Sequence, residues 1–299
     1  MTLERCNRLG QGFLGLVLLA AVGLFTAARE APRRPVLHSY AGAAPAIDGR
    51  LDRGEWADAT EIQGVRDWTP EFSPVTKNKD LSLRGWVKHD SQWLYFAFEV
   101  TDDVLYGIDT DRWLPTENAQ AHALTREGFP WFGDEMELLI NAPGTWRGDE
   151  DSDGTAASWQ MVCNLTKSRL GGIGKGGLLE GEPRSEARAW ETYGQWIREG
   201  AQVAAARRIP GRPMYVIEWA IRFDRCFEVA PGRFYNPAEG DATVGLNIAV
   251  GDLDQPEDGK GNFGGFHHEQ WWAGEPHTRT RKNNFGTLQL HGLKTSRKP

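Results

Sequence analysis

Alternation at a period of two residues recurs along this chain, and it leaves little room for anything but β-structure. Tyr215–Phe223 is the plainest case. Tyr215, Ile217, Trp219, Ile221 and Phe223 alternate there with Val216, Glu218, Ala220 and Arg222. Leu81–Val87 sets Leu81, Leu83, Gly85 and Val87 against Ser82, Arg84 and Trp86. Trp93–Val100 is almost continuously apolar, as a central strand is. Glu135–Ile140, Ser158–Leu165, Val203–Ile209, Thr243–Asp252 and Phe285–Leu290 bring the set to about eight strand runs. Helical periodicity is almost absent, apart from one short turn at Glu55-Trp56-Ala57. His89-Asp90-Ser91-Gln92 and Pro210-Gly211-Arg212-Pro213 each read as the loop of a hairpin. The pattern predicts an all-β fold, an antiparallel two-sheet β-sandwich of jelly-roll type with long loops.

The ends are of a different character. Arg5 and Arg8 precede an uncharged run from Leu9 to Ala28 with an apolar heart at Phe13–Phe25, and Thr26-Ala27-Ala28 offers small residues for cleavage. Residues 1–28 therefore read as a secretory signal peptide. The run is also long enough for a signal anchor, so membrane anchoring through residues 9–28 stays open. Cys6 precedes the apolar run, so no lipobox is present. Residues 29–46, rich in Ala, Pro and Arg, read as a linker. The sandwich is expected over 47–292, with a C-terminal tail at 293–299. This scheme implies an exported protein, whether periplasmic, cell-surface or secreted. Outside the cytoplasm Cys163 and Cys226 could equally form a disulfide or stay as buried thiols. A net charge of −7 with no basic patch excludes nucleic acid as a partner. Nothing in the sequence fixes an oligomeric state.

Phe129-Pro-Trp-Phe-Gly-Asp-Glu-Met-Glu-Leu-Leu-Ile-Asn141 carries the strongest hint of function. An aromatic cluster of Phe129, Trp131 and Phe132 leads into a strand. Met136, Leu138 and Ile140 lie on one face of it, and Glu135, Glu137 and Leu139 on the other. An indole ring stacks on the C–H face of a sugar, and a carboxylate accepts its hydroxyl protons. A sandwich strand with a solvated face and a capping Trp would look the same. The 13 Trp residues have the same two uses, platform or core.

The order of motifs resembles carbohydrate-binding module family 9, within the DOMON-like group of β-sandwiches. Ile47-Asp-Gly-Arg-Leu-Asp-Arg-Gly-Glu-Trp56 is similar to that family's opening motif, and Val87–Tyr95 through Val100-Thr-Asp102 to its first hairpin. Trp131–Glu137 is similar to its ligand-side strand and Tyr215–Ile221 to its Glu-bearing strand. Val244–Asp252 and Phe285–Leu290 are similar to the strands that follow. The resemblance implies a non-catalytic domain that binds a saccharide or polysaccharide, of the kind found with glycoside hydrolases such as xylanases. It assigns ligand contacts to Trp131, Glu137, Gln160 and Asn164. A second Trp would come from Trp271 or Trp272.

The resemblance also implies structural calcium. Asp149-Glu-Asp-Ser-Asp-Gly154 spaces Asp149, Asp151 and Asp153 at alternate positions before a Gly, as the front half of a calcium loop does. Gln160 stands where an EF-hand would have its bidentate Glu. A second candidate cluster is Asp48, Asp52 and Asp102, which as turn residues could serve as caps instead. Two other readings remain. One is a haem or electron-transfer domain, with His267, His268, His277, Met136 or Met161 as candidate ligands. The other is a surface interaction module without sugar binding. A glycosidase would need an acid pair, for which Asp134 with Glu137 or Glu218 is the candidate. Gly171–Gly177 lacks the Gly-Lys-Ser/Thr ending of a phosphate loop and is expected to be a flexible loop.

Overall fold

The computed structural model describes residues 35–52, 54–63, 65–67, 81–105, 134–144, 146, 158–164, 174–178, 199–253, 267–273 and 285–294. Among them the alternating runs form the expected strands, in two sheets packed face to face. The smaller sheet has five strands: β2 (Thr60–Ile62), β4 (Ser82–His89), β5 (Trp93–Thr101), β10 (Met214–Arg222) and β9 (Gln202–Arg208), in that order and antiparallel throughout. The larger has eight. Its main path runs β1 (Val36–Ser39), β15 (Gly286–Leu290), β13 (Ala242–Leu253), β6 (Glu135–Asn141), β7 (Ser158–Asn164) and β8 (Gly174–Leu178). Branching from it, β14 (His267–Trp271) pairs with β13, and β3 (Arg66–Asp67) pairs with β14. One short helix, α1 (Phe223–Cys226), and the ribbon of β11 (Glu228–Ala230) with β12 (Arg233–Phe234) follow β10.

The pleat decides what goes inside. Successive side chains point to opposite faces, so every second residue of a strand enters the gap between the sheets. The smaller sheet contributes Leu94, Phe96, Phe98 and Val100 from β5, with Tyr215, Ile217, Trp219 and Ile221 from β10. Met136, Leu138 and Ile140 from β6 and Val244, Leu246, Ile248 and Val250 from β13 come from the larger sheet. All are buried, and this interdigitated layer is the main apolar store of the fold. Both expected hairpin loops are present. Asp90 closes the first by accepting the backbone N–H groups of Gln92 and Trp93 on Oδ1 and the Tyr95 hydroxyl on Oδ2. Gly211 takes φ +73° in the second, where an L side chain would be strained.

Three expectations about loops need correction. Val36–Ser39, expected in the linker, is a strand that pairs parallel with β15. The glycine-rich segment Gly174–Leu178 pairs with β7 as an edge strand, since backbone pairing needs no alternating side chains. One of the expected long loops, that between Thr243–Asp252 and Phe285–Leu290, contains β14. The apolar run at residues 9–28 lies outside the described residues, among which no helix is long and apolar enough to cross a membrane.

The N-terminal segment also ties the two sheets together. Its Ser39 Oγ lies 2.8 Å from Nδ1 of His89 at the end of β4, and Gly42 N–H donates to the His89 carbonyl. Burial holds the His89 imidazole down at about 4, against an ordinary value of 6.5. The unfolded chain therefore takes up this proton at higher pH than the folded one. Its contribution is intact above about pH 6.5 and is lost as pH falls toward 4, by at most roughly 3 kcal/mol. Urea unfolding of wild type and His89→Gln between pH 7.5 and 4 measures it. The wild type should lose stability more steeply across that window, and parallel curves would refute the assignment.

Candidate functional site

The outer face of the larger sheet carries Glu137, and the strand register sets positions 160 and 164 in neighbouring rows. Glu135, Glu137, Leu139 and Asn141 occupy the β6 positions that alternate with its core residues. In register, Glu137 stands opposite Val162 of β7 and Ala249 of β13, and Ala249 opposite Trp271 of β14. The neighbouring rows place Gln160 opposite Leu139, and Asn164 opposite Glu135. The same register therefore brings Glu137 and strand positions 160 and 164 into adjacent rows, with Trp271 two strands away. Glu135 leans over Gly251, where an added Cβ would stand 3.0 Å from its Cγ. Glu137 is only 1 % exposed, so the acidic face expected to be solvated is covered. Trp131, Asp149, Asp151, Asp153 and His277 lie outside the described residues. So do the side chains of Gln160, Asn164, Cys226, His267 and His268.

Neither Trp271 nor Trp272 offers a sugar platform, which corrects the expectation for both. They point to opposite faces of the sheet and are buried on each. Trp271 packs with Leu139, Trp146, Ala249 and Phe285 in an apolar cluster on the outer face. The small Ala249 beside it leaves room for the indole. Trp272 enters the core between the sheets, and its Nε1 donates to the Gln63 carbonyl at 3.0 Å. It lies so close over Gly286 that an added Cβ there would be 2.5 Å from the ring. Asn247 fixes the end of β14 by accepting the Ala273 N–H on Oδ1 at 2.9 Å. Met136 and Met161, candidate haem ligands, are packed in the same core.

The opening motif folds over the outer face of the smaller sheet. Glu218 of β10 is the anchor. Its Oε2 accepts the backbone N–H groups of Asp48, Gly49 and Arg50 at 3.0, 2.9 and 3.3 Å, and its Oε1 accepts Trp56 Nε1–H at 3.0 Å. Burial pushes this carboxyl up, and the four donors work in the opposite direction. Gly49 has φ +77°, which lets three successive N–H groups turn toward one oxygen. Trp56 packs on Tyr95, Ala97 and Ala220. The buried Lys88 ammonium lies 5.1 Å from the Trp56 ring centroid, donates to Asp58 Oδ1 at 2.9 Å and also reaches the Glu55 carbonyl.

This arrangement corrects two further expectations. Asp48 and Asp52 belong to the turns of the opening motif, with exposed side chains, and do not join Asp102 in a metal cluster. Asp102 is instead grouped with Asp134 and Asp252. Glu218 cannot form a glycosidase pair with Asp134, because Glu218 lies on the outer face of the smaller sheet and Asp134 is grouped with Asp102 and Asp252 on the inward side of β6. Asp134 and Glu137 also point to opposite faces of β6. The four-donor role of Glu218 was missed in the sequence, where its position amid apolar neighbours on β10 was the available signal.

Comparison with solved structures places the fold. A carbohydrate-binding module of family 9 from Caldicellulosiruptor kristjanssonii in complex with cellotriose superposes with a TM-score of 0.51 at 12% identity, covering 89% of this chain and 100% of that one. The fold is that of family 9 modules. The corresponding glucose complex gives a TM-score of 0.50 at 12% identity, with 89% and 100% coverage. A candidate carbohydrate-binding protein from Bacteroides uniformis gives 0.50 at 12% identity, covering 86% of this chain and all of that one. No family model matches the sequence, and no curated protein matches it.

Replacing Glu218 by Ala strands four donors over a buried surface, so Glu218→Ala should lose about 2–4 kcal/mol in urea unfolding. Glu218→Gln, which keeps an acceptor, should recover part of the loss. Equal stability of Glu218→Ala and wild type would show that the opening motif is held by its apolar contacts alone.

Proposed function

We propose that this chain is an exported, non-catalytic domain that binds a saccharide on the outer face of its larger sheet. One observation carries the reading. On a fold shared with family 9 modules, the β6–β7 register sets Glu137 beside strand positions 160 and 164, the polar positions the family resemblance singles out. The sugar ring would stack on Trp131, six positions before Glu137. Gln160 and Asn164 would hydrogen-bond its hydroxyl groups. The burial of Trp271 and Trp272 supports a site built on one indole rather than a two-Trp clamp.

The chemistry sets a modest affinity. One aromatic face and a few hydrogen bonds give on the order of −4 to −8 kcal/mol, a Kd between millimolar and micromolar. The solved relatives carry cellotriose and glucose, which makes β-glucans the first ligands to try. An exported location is supported by the Leu9–Ala28 run with its preceding Arg5 and Arg8. A role without catalysis is supported by the commitment of Glu218 to the opening motif.

Calorimetric titration of the purified protein with cellotriose, glucose and xylo-oligosaccharides tests the proposal. Saturable binding that Trp131→Ala abolishes and Trp271→Phe retains is the expected result. No binding of any of these sugars by folded protein would overturn it.

A further inference from the structure

Because β1 and β15 run in parallel, their outward residues line up along one edge of the larger sheet. His38 stands opposite Gln289, and Ser39 opposite Leu290. Leu37, Leu288 and Leu290 enter the core, so the alternation sends His38, Tyr40 and His291 to the outer face. Two imidazoles from opposite ends of the chain meet there. His38 Nδ1 lies 3.0 Å from His291 Nε2, and the two rings are nearly parallel with centroids 5.3 Å apart. Tyr40 stacks on the His291 ring at 4.3 Å. Asp241, just before β13, holds the other side of that ring. Its Oδ2 is 3.2 Å from His291 Nδ1, and its Oδ1 accepts the Gly292 N–H at 2.7 Å. The backbone is fixed as well, since the His291 N–H donates to the Ser39 carbonyl.

We infer that His38 and His291 form a site for a divalent transition-metal ion, copper(II) by preference. A carboxylate can only accept, so His291 Nδ1 carries its proton toward Asp241 and Nε2 keeps its lone pair. A metal-binding histidine is oriented in the same way, with its other nitrogen donating to an acid. Without an ion, His38 Nδ1–H donates to that lone pair. When an ion takes the place of this proton, the proton moves to His38 Nε2 and none is released. Two ring nitrogens at about 2.05 Å from one ion stand about 2.9 Å apart at a right angle, and about 3.3–3.4 Å apart at the tetrahedral angle. The observed 3.0 Å is closer to the square arrangement of copper(II) or nickel(II) than to tetrahedral zinc. Copper(II) also heads the affinity order for such ligands. His38 is exposed, so its ring has room to turn onto the ion and water can fill the remaining positions. Asp241 acts through His291 as a positioning residue. In the β13 register it lies roughly 27 Å along the strand from Ala249, the partner of Glu137, so the site stands apart from the saccharide proposal.

The test is titration of the untagged protein with copper(II) sulfate at pH 7.5, followed by calorimetry and electron paramagnetic resonance. One copper(II) per chain is expected, with a tetragonal signal that shows nitrogen coupling. His38→Gln and His291→Gln should each weaken binding at least tenfold and remove part of that coupling. Asp241→Asn should weaken binding by about tenfold or more while both nitrogens stay in the signal. A His122→Gln/His267→Gln/His268→Gln/His277→Gln variant should bind as wild type does. Because His38 is exposed, metal-free His38→Gln should unfold in urea where wild type does, which separates loss of copper from loss of fold. Undiminished binding by His38→Gln would overturn the inference. So would a wild type that leaves copper(II) unbound, or a copper signal that disappears in the four-histidine variant.

Discussion

Two pleated sheets can share one interior only if each strand keeps its alternation in phase with the strands facing it. The layer of Phe96, Phe98, Trp219, Leu138 and Ile248 satisfies that condition, and the rest of the structure depends on it. A slip of one residue in β6 would carry Met136, Leu138 and Ile140 outward and bring Glu135 and Glu137 into the core. The register that buries the apolar set therefore also decides which polar residues reach the outer face.

The two outer faces are finished differently. On the smaller sheet small residues, Ala97 and Ala220, leave space that the opening motif fills with Trp56. Glu218 then gathers backbone donors that would otherwise need water. The larger sheet has its own apolar cluster around Trp271, and carboxylates stand beside it. One face is a closed lid secured by a buried acceptor. The other sets buried carboxylates beside an apolar cluster.

The legible part of this fold was the part written by side-chain alternation. Tyr215–Phe223, Trp93–Val100 and Thr243–Asp252 announced their strands because both faces had consistent environments. Strands β1, β8 and β14 did not, because they pair through backbone groups at edges and branches, where sequence periodicity is weak. The candidate site was legible in the strand carrying Glu137, whose position follows from the same alternation. Trp271 and Trp272 were misread because a Trp in a loop-like segment looks the same whether it ends against solvent or against Ala249. The grouping of Asp102 with Asp134 and Asp252 was invisible for another reason. It depends on where three separate strands end relative to one another, and no local pattern encodes that.

The parallel pairing of β1 with β15 has a mechanical meaning. Val36 lies opposite Thr287 and Ser39 opposite Leu290, so the chain enters at one end of this strand pair and leaves at the other. Tension between an attachment before Val36 and a load after Leu290 would pull the two strands past each other lengthwise. Their hydrogen bonds would then be strained together instead of being peeled apart one by one. A domain built this way resists stretching along the line between its two ends.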